Sequence, residues 1–325
     1  MDPQQAKLVL APIRGITDCH FRSLFQKYFP GFDSAIAPFI NPQRSSSFNP
    51  KQLKDLLPES NRMLPVVPQL LHTDAQDFLF LAHRLEELGY KEVNWNLGCP
   101  APMVTIKRRG SGLLPFPEQI FSFLDQVIPK LSIDLSIKTR LGYEKKDELL
   151  SLLPGLDDYP ITEIIIHGRI GKQLYRGESD PEAFGQCLEY SKHSIAYNGD
   201  IDSVEKFRDL QIQFPKVHKW MLGRGVLSNP FLAGEIKGLQ TDNKLEQLEN
   251  FHRELYDRYR ALLSGSSHLL GRMKQLWAYL SFFFPPQHKS WKKIKKCRTE
   301  AQYQQIVNDF FNMHHIHHKT PPFVT

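Results

Sequence analysis

The sequence predicts an α/β protein: a (β/α)8 TIM barrel followed by a small all-helical C-terminal domain. Three observations carry this. Short apolar runs alternate with amphipathic helical stretches about eight times in roughly 240 residues, the size of such a barrel. The runs are near-continuously apolar and rich in β-branched residues, as buried parallel strands are. No GxGxxG turn follows an early strand, which argues against a doubly wound open sheet.

The units follow in order. KLVLAP (7–12) leads into the helix-like TDCHFRSLFQKYF. DSAIAPF (33–39) and PVVPQLL (65–71) are the second and third runs. TDAQDFLFLAHRLEELG (73–89) has apolar residues at helical spacing and a glycine stop. EVNWNLG (92–98) precedes a helix over about 117–129, and LSIKTRLG (135–142) a helical stretch to Leu153. EIIIHGR (163–169) precedes a helix near 181–191, SIAYNGD (194–200) precedes SVEKFRDLQ, and KWMLGRG (219–225) precedes NPFLAGEIKG. Past Gly238 the pattern changes. TDNK reads as a linker, and four helical stretches follow with no strand among them. The expected domains are therefore residues 1–240 and residues 245–325.

Charge is unevenly divided between these parts. Residues 1–244 hold 29 Lys and Arg against 29 Asp and Glu; residues 245–325 hold 12 against 6. The whole net charge of +6 thus sits in the helical part, together with seven of the 13 histidines. A neutral body with a basic appendage points to a polyanionic partner, or to a merely solvated basic surface. The densest cluster is Lys289, Lys292, Lys293, Lys295, Lys296 and Arg298. Helical spacing puts Lys289, Lys292, Lys293 and Lys296 on one stripe, with Trp291 and Ile294 turned inward. Arg272 and Lys274 extend that surface.

No apolar run approaches the roughly 20 residues that span a bilayer. The N-terminus lacks the features of a secretory signal, so a cytoplasmic location is expected. Cys19, Cys99, Cys187 and Cys297 are scattered without a CxxC pair, which suggests neither zinc nor disulfides. No acidic or cysteine ligand accompanies the run His314-His315-Ile316-His317-His318. It is expected to be a partly ordered basic tail, and no metal site is expected.

In a barrel, reactive groups collect at the C-terminal strand ends. Asn96 and Cys99 follow the fourth run, Lys138 and Arg140 lie on and after the fifth, and His167 and Arg169 end the sixth. Asn198-Gly199-Asp200 ends the seventh and Gly223-Arg224-Gly225 the eighth. The last two glycine turns could hold a phosphate on backbone N–H groups with Arg224 assisting, or could be ordinary turns. Lys138, inside an apolar run, could pair with an anionic reduced flavin, pair with a nearby acid, or snorkel to solvent. His167 could be a satisfied core histidine, and Gln69 could bond a heterocycle edge. Cys99 is mostly protonated at neutral pH, so it can serve as an acid, a nucleophile or a small structural hydrophobe.

LAPIRGITD, VVPQLL, NWNLGCPAPMVTIKRRGSGLL, SIKTRLG, IIHGR with KQLYRG, YNGDI and MLGRG occur in the order seen in tRNA-dihydrouridine synthases, the Dus family. The resemblance covers the whole barrel. It implies FMN as cofactor, NADPH as reductant and a tRNA D-loop uridine as substrate. Hydride would pass from flavin N5 to C6 of uracil, with Cys99 giving the proton to C5. Ala11, Pro12, Gln69, Lys138, His167, Asn198, Gly199, Asp200, Gly223 and Arg224 would bind the cofactor. Asn96, Arg140 and Arg169 would meet the substrate, and Arg272, Lys274, Lys292, Lys293 and Lys296 would contact tRNA. GRMKQLWAYLSFFF resembles the bacterial C subclass, which acts on position 16. The chain departs from the family at Ile13, at Pro102-Met103, where a lysine is frequent, and at Ile170. A monomer without an obligate protein partner is expected. The competing readings are a dihydroorotate- or dihydropyrimidine-dehydrogenase-like enzyme and a tRNA-binding protein without catalysis.

Overall fold

The computed structural model describes residues 5–41, 49–284 and 290–319. Its nine parallel strands are β1 (Lys7–Leu10), β2 (Ser34–Ile36), β3 (Val66–Val67), β4 (Gln69–Leu70), β5 (Glu92–Leu97), β6 (Asp134–Gly142), β7 (Ile161–Ile170), β8 (Ile195–Asn198) and β9 (Lys219–Leu222). They run in the order β3-β2-β1-β9-β8-β7-β6-β5-β4. The two ends of that order are one stretch of chain interrupted by Pro68, which has no N–H to give. Pro65, Val67 and Gln69 carbonyls accept from Ala35, Ala37 and Ile40 on one side, and the Pro68 carbonyl accepts from Asn94 on the other, at 2.8–3.0 Å. The sheet therefore closes, and the single third run of the sequence serves as its closing strand.

Between the strands lie α1 (Cys19–Tyr28), α2 (Ala75–Glu87), the short α3 (Pro102–Thr105), α4 (Pro117–Val127), α5 (Asp147–Leu156), α6 (Pro181–Glu189) and α7 (Val204–Gln213). After β9 come α8 (Arg224–Ser228) and α9 (Leu232–Ile236). Asp18, Asp74, Asp180 and Ser203 each accept a backbone N–H of their helix's first turn, which fixes where α1, α2, α6 and α7 begin. Period-two alternation divides the core. Leu8, Leu10, Trp95, Ile137, Ile164, Ile166 and Trp220 face the helices, where Trp95 stacks on Phe123 at 4.2 Å. Val9, Ala11, Ile36, Ile165, Ala196 and Met221 form a separate cluster.

The helical part comprises α10 (Lys244–Leu262), α11 (Ser266–Leu280), α12 (Ser290–Lys296) and α13 (Glu300–Lys319). Its centre is a buried triad: His252 Nε2 lies 2.6 Å from Tyr303 Oη, and Trp277 Nε1–H reaches both at 3.1 and 2.9 Å. Burial takes the His252 pKa down to about 3, so this histidine is neutral and structural. One apolar cluster runs through both parts of the chain. Phe251 of α10 meets the rings of Phe21, Phe25 and Phe29 at 5.8, 5.9 and 5.0 Å. Among the described residues, no helix is long and apolar enough to cross a membrane.

Candidate active site

The C-terminal mouth of the barrel has two chemically different halves. On one side neutral amides form a chain. Asn94 Nδ2 donates to Ser136 Oγ (2.9 Å), Gln69 Nε2 to Asn94 Oδ1 (2.7 Å), and Asn96 Nδ2 to Gln69 Oε1 (2.7 Å). Asn96 Oδ1 then accepts the N–H groups of Gly98 and Cys99 at 3.0 and 2.9 Å. All three amide side chains are buried. With both ends of Gln69 and Asn96 committed, the chain fixes the turn that carries Cys99.

The far end of the Cys99 loop returns to close on it. Ser111 N and Oγ both donate to the Cys99 carbonyl at 3.1 Å. Gly110 has φ +56°, and a Cβ there would stand 2.6 Å from the same carbonyl oxygen. A Cβ on Gly112 would stand 2.7 Å from the Thr105 backbone. The GSG of the sequence is thus a close-approach element rather than a flexible one. Cys99 itself is a free, half-buried thiol. Burial raises its pKa; a backbone hydrogen bond at Ala101 and the charges of Arg140, Arg14 and Lys138 hold the rise back. The thiol therefore stays protonated at neutral pH, the state required of a proton donor. Cys19 and Cys187 are buried with pKa values pushed up to about 12, and Cys297 is buried just past α12.

The other half is cationic. Lys138 Nζ donates to Asn198 Oδ1 at 2.9 Å, and Asn198 Nδ2 in turn to the Met221 carbonyl. Loss of water, reinforced by the nearby Arg140 charge, lowers the Lys138 pKa to about 7. Arg140 Nε reaches the Gly98 carbonyl (3.0 Å) and Nη1 the Ile170 carbonyl (2.8 Å), tying the Cys99 turn to the end of β7. Its pKa falls to about 10, mainly through burial, so it remains charged. His167 is held well below the ordinary histidine range by burial and by Arg140, Lys138, Arg169 and Arg224. Being neutral, it accepts from Arg169 Nη1 at Nε2 (3.1 Å), which leaves its proton on Nδ1 as a donor.

Two of the expected binding groups have different tasks. Every donor-bearing nitrogen of the buried Arg169 is engaged within the protein: His167, both oxygens of Asp200, and the carbonyls of Arg176 and Gly177. It has no donor left for a nucleotide, and its bonds join His167 to Asp200. Asp200, expected among the cofactor-binding residues, is likewise bonded within the protein. It accepts from Arg169, Ser179 N (2.9 Å) and Arg224 Nη2 (3.0 Å). Burial works to raise its pKa, but these bonds outweigh burial and hold it low. Its carboxylate positions Arg224, which opens α8.

The glycine turns are tight on their inner sides. A Cβ on Gly199 would lie 2.4 Å from Tyr197 Oη, and one on Gly225 2.0 Å from the Ile201 carbonyl. A Cβ on Gly223 would stand 3.4 Å from that of Ala11; Pro12 follows Ala11 at the rim of β1. Leading N–H groups of α8 have no carbonyl partner inside the helix. Tyr175 was not singled out from the sequence, although it lies in the KQLYRG segment. Its ring sits 5.2 Å from the Arg140 guanidinium and 5.4 Å from that of Arg224, and 6.5 Å from the His167 ring. It follows Leu174, which takes a strained φ of +54°. The signal for it in the sequence is an aromatic residue in a loop five positions past the end of a strand.

The helical part divides its cations. Arg272 lies 3.6 Å from Asp18 and over the Tyr259 ring, and Tyr259 Oη donates to Asp18 at 2.9 Å. Lys274 Nζ donates to the Cys297 carbonyl at 2.5 Å. Both cations, expected to extend the tRNA-contacting surface, are thus tied to neighbouring elements of the fold. Lys292, Lys293, Lys295 and Lys296 are exposed on α12, Ile294 is buried and Trp291 half-buried, as helical spacing required. Lys289 lies outside the described residues. α13 carries its helical backbone through the histidine run, where the side chains of residues 315–318 are outside the described set; the His314 ring lies 4.9 Å from Phe284. His72, Asp74 and Asp77 bring ligand atoms within 4.8 Å of one another, but the Arg109 guanidinium already stands 2.9 Å from His72 Nε2.

Residues 9–318 match the family model described as Dihydrouridine synthase (Dus). Over 320 residues the chain is 24% identical to a tRNA-dihydrouridine(16) synthase of Neisseria meningitidis, covering 94% of this chain and 95% of that one. Over 303 residues it is 29% identical to the tRNA-dihydrouridine synthase B of Vibrio parahaemolyticus, covering 93% and 90%. Among solved structures, the old yellow enzyme homologue of Zymomonas mobilis superposes with a TM-score of 0.54 over 74% of this chain and 91% of that one. Identity there is 10%, so that likeness is one of fold.

Proposed function

The chain belongs to the dihydrouridine synthase family, and from that premise we propose that it reduces a uridine of tRNA to 5,6-dihydrouridine, with FMN at the barrel mouth, NADPH as reductant and Cys99 as proton donor. The observation that carries this reading is the free Cys99 thiol on a turn held by Asn96 and Ser111, at the edge of a mouth whose opposite half is cationic. Bound FMN would supply the hydride for C6 of uracil.

The residues present fit that cofactor. Lys138 has one hydrogen-bond acceptor among the described residues, the neutral Asn198, and no carboxylate. A cation so placed favours negative charge beside it, as on a reduced flavin ring. His167 Nδ1–H offers a further donor. Gly199, Gly223, Gly225 and Arg224 make a cradle of backbone N–H groups and a guanidinium for the phosphate. Ala11 and Pro12 would line its near edge, and Gln69, bonded to Asn94 and Asn96, would stand on the side of the amide chain.

The chain's own part in the reaction is positional and acidic. Asn96 and Arg140 hold the Cys99 turn from its two sides, and Arg140 remains charged near the thiol. Tyr175, laid across Arg140 and Arg224, offers an aromatic face at the entrance. As the bond at C5 takes the proton, Cys99 is left as a thiolate, which the surrounding Arg140, Arg14 and Lys138 charges stabilise. Residues 245–325, with Lys292, Lys293 and Lys296 exposed, would grip the tRNA backbone. The uridine is proposed to be that at position 16, the position in the name of the Neisseria relative.

The test is direct. The purified protein should absorb near about 450 nm through its flavin and should convert uridine to dihydrouridine in unmodified tRNA when given NADPH. A colourless protein, or a flavoprotein that reduces free uracil or orotate and leaves tRNA untouched, would overturn the reading. Mapping the product in the tRNA decides the position.

A further inference from the structure

Helix α3 starts three residues after Cys99 and has two unlike faces. Val104 and Thr105 are buried, the latter against Gly112. Pro102, Met103 and Ile106 point the other way, and residues three and four apart share a face. Met103 is 67% and Ile106 83% exposed. An isolated exposed aliphatic, such as Ile212 on the outer helix α7, needs no explanation. Two on one face, within seven residues of Cys99, form an apolar patch beside the barrel mouth.

The patch is held rigidly. Val104 and Thr105 N–H groups bond to the Ala101 carbonyl, and Ile106 N–H bonds to that of Pro102. Past the helix, Arg109 spans the rim to His72, just beyond β4, and to Asn41, beyond β2. The Arg108 guanidinium lies 4.3 Å over the Phe116 ring. Lys107 and Arg108 are exposed, so the apolar face is bordered by positive charge. That combination suits a ligand that is both anionic and apolar-faced, as an unpaired nucleotide is.

Barrel order gives the patch its position. β5, which delivers α3, is the fourth strand segment of the closed sheet, and β9, which delivers α8, is the eighth. They stand on opposite sides of the mouth. The helical domain packs on the α8 side: Gln275 of α11 reaches the Arg14 carbonyl, and Arg272 pairs with Asp18, both just past β1. An RNA gripped by the helical domain must therefore cross the mouth to reach α3.

We propose that Met103 and Ile106 form an apolar wedge that meets the unstacked bases beside the target uridine and keeps them from re-stacking while the uridine enters the mouth. This rests on the tRNA-reducing function proposed above. A base that leaves its stack exposes the flat faces of its neighbours, and apolar side chains are the groups that cover such faces. Met103 and Ile106 are positioning residues in this account: they touch the RNA around the reacting base and no reacting atom.

The experiment compares the whole flavin-loaded protein with its Met103→Ser/Ile106→Ser variant on full-length tRNA. Both positions are exposed, so the variant should melt like the parent. We expect kcat/KM for uridine reduction to fall about tenfold, with flavin reduction by NADPH unchanged and with the salt dependence of tRNA binding unaltered, because no ion contact is lost. Ile106→Leu should retain nearly full activity. Unchanged kcat/KM in the double variant overturns the wedge. A flatter salt slope in it also overturns the wedge, because the patch would then act through charge. If the unaltered protein reduces no tRNA uridine, the function fails first and takes the wedge with it.

Discussion

The barrel mouth and the helical domain both concentrate positive charge, but they hold it in opposite ways. At the mouth, Arg140 and Arg169 are buried and bonded to fixed acceptors, and Lys138 has lost enough water for its pKa to fall to about 7. On α12, Lys292, Lys293, Lys295 and Lys296 stand exposed in solvent. A desolvated cation acts at one point and strongly, and its protonation can be shifted by what binds beside it. Exposed cations act together as a field, are screened by salt and specify little. The difference suits a division of labour in which the helical domain holds a polyanion and the mouth does chemistry on one base. Arg272 and Lys274 show that a cation in the basic domain does not belong to that field by composition alone.

The sharpest way to break this comparison is at Cys99. Cys99→Ala should lower uridine reduction by about 10²–10⁴-fold, the usual worth of a general acid, while NADPH still reduces the flavin and tRNA still binds. Single-turnover assays of the two half-reactions read both. Near-normal dihydrouridine formation would remove Cys99 from the mechanism. Cys187→Ala, at a thiol bonded to the Ala183 carbonyl 3.3 Å away in the core, should leave both half-reactions intact.

The next effect concerns the point-like cation. Below pH about 7 Lys138 is already charged, so it should add no pH dependence to the affinity for reduced FMN there. Above that pH, holding the anionic reduced ring beside it requires proton uptake. The dissociation constant of reduced FMN should then rise with pH, by at most about tenfold per unit for one linked proton. Lys138→Met should weaken binding and flatten the profile. Anaerobic titrations of reduced FMN into apoprotein across neutral pH measure it; a slope that survives in Lys138→Met assigns the proton to another group.

The smallest effect is expected for the field. Lys292→Glu/Lys296→Glu should raise the tRNA dissociation constant about tenfold at low salt and reduce the slope of log affinity against log salt by about one to two, with the FMN profile of Lys138 unmoved. Equal affinity and slope in the double variant would place the tRNA elsewhere. A changed FMN profile would mean that the two regions are not separate in function.

Much of the barrel was legible because its signals are local. Each strand needs a buried apolar run, and the candidates Asn96, Cys99, Lys138, His167 and Asn198 stand on such a run or just past one, so their placement at the mouth could be read off the chain. α12 was legible for the same reason, since helical spacing alone turns Ile294 inward and its lysines outward. Tertiary structure decided what each polar group bonds to. Whether Arg169 and Arg272 face a ligand or a carboxylate depends on Asp200 and Asp18, which lie 31 and 254 positions away in the chain. The closing of the sheet through Pro68, the amide chain from Ser136 to Cys99, and the place of Tyr175 between two arginines are likewise contacts between distant segments. Sequence periodicity sets which face of an element a side chain takes; only packing sets what stands opposite that face.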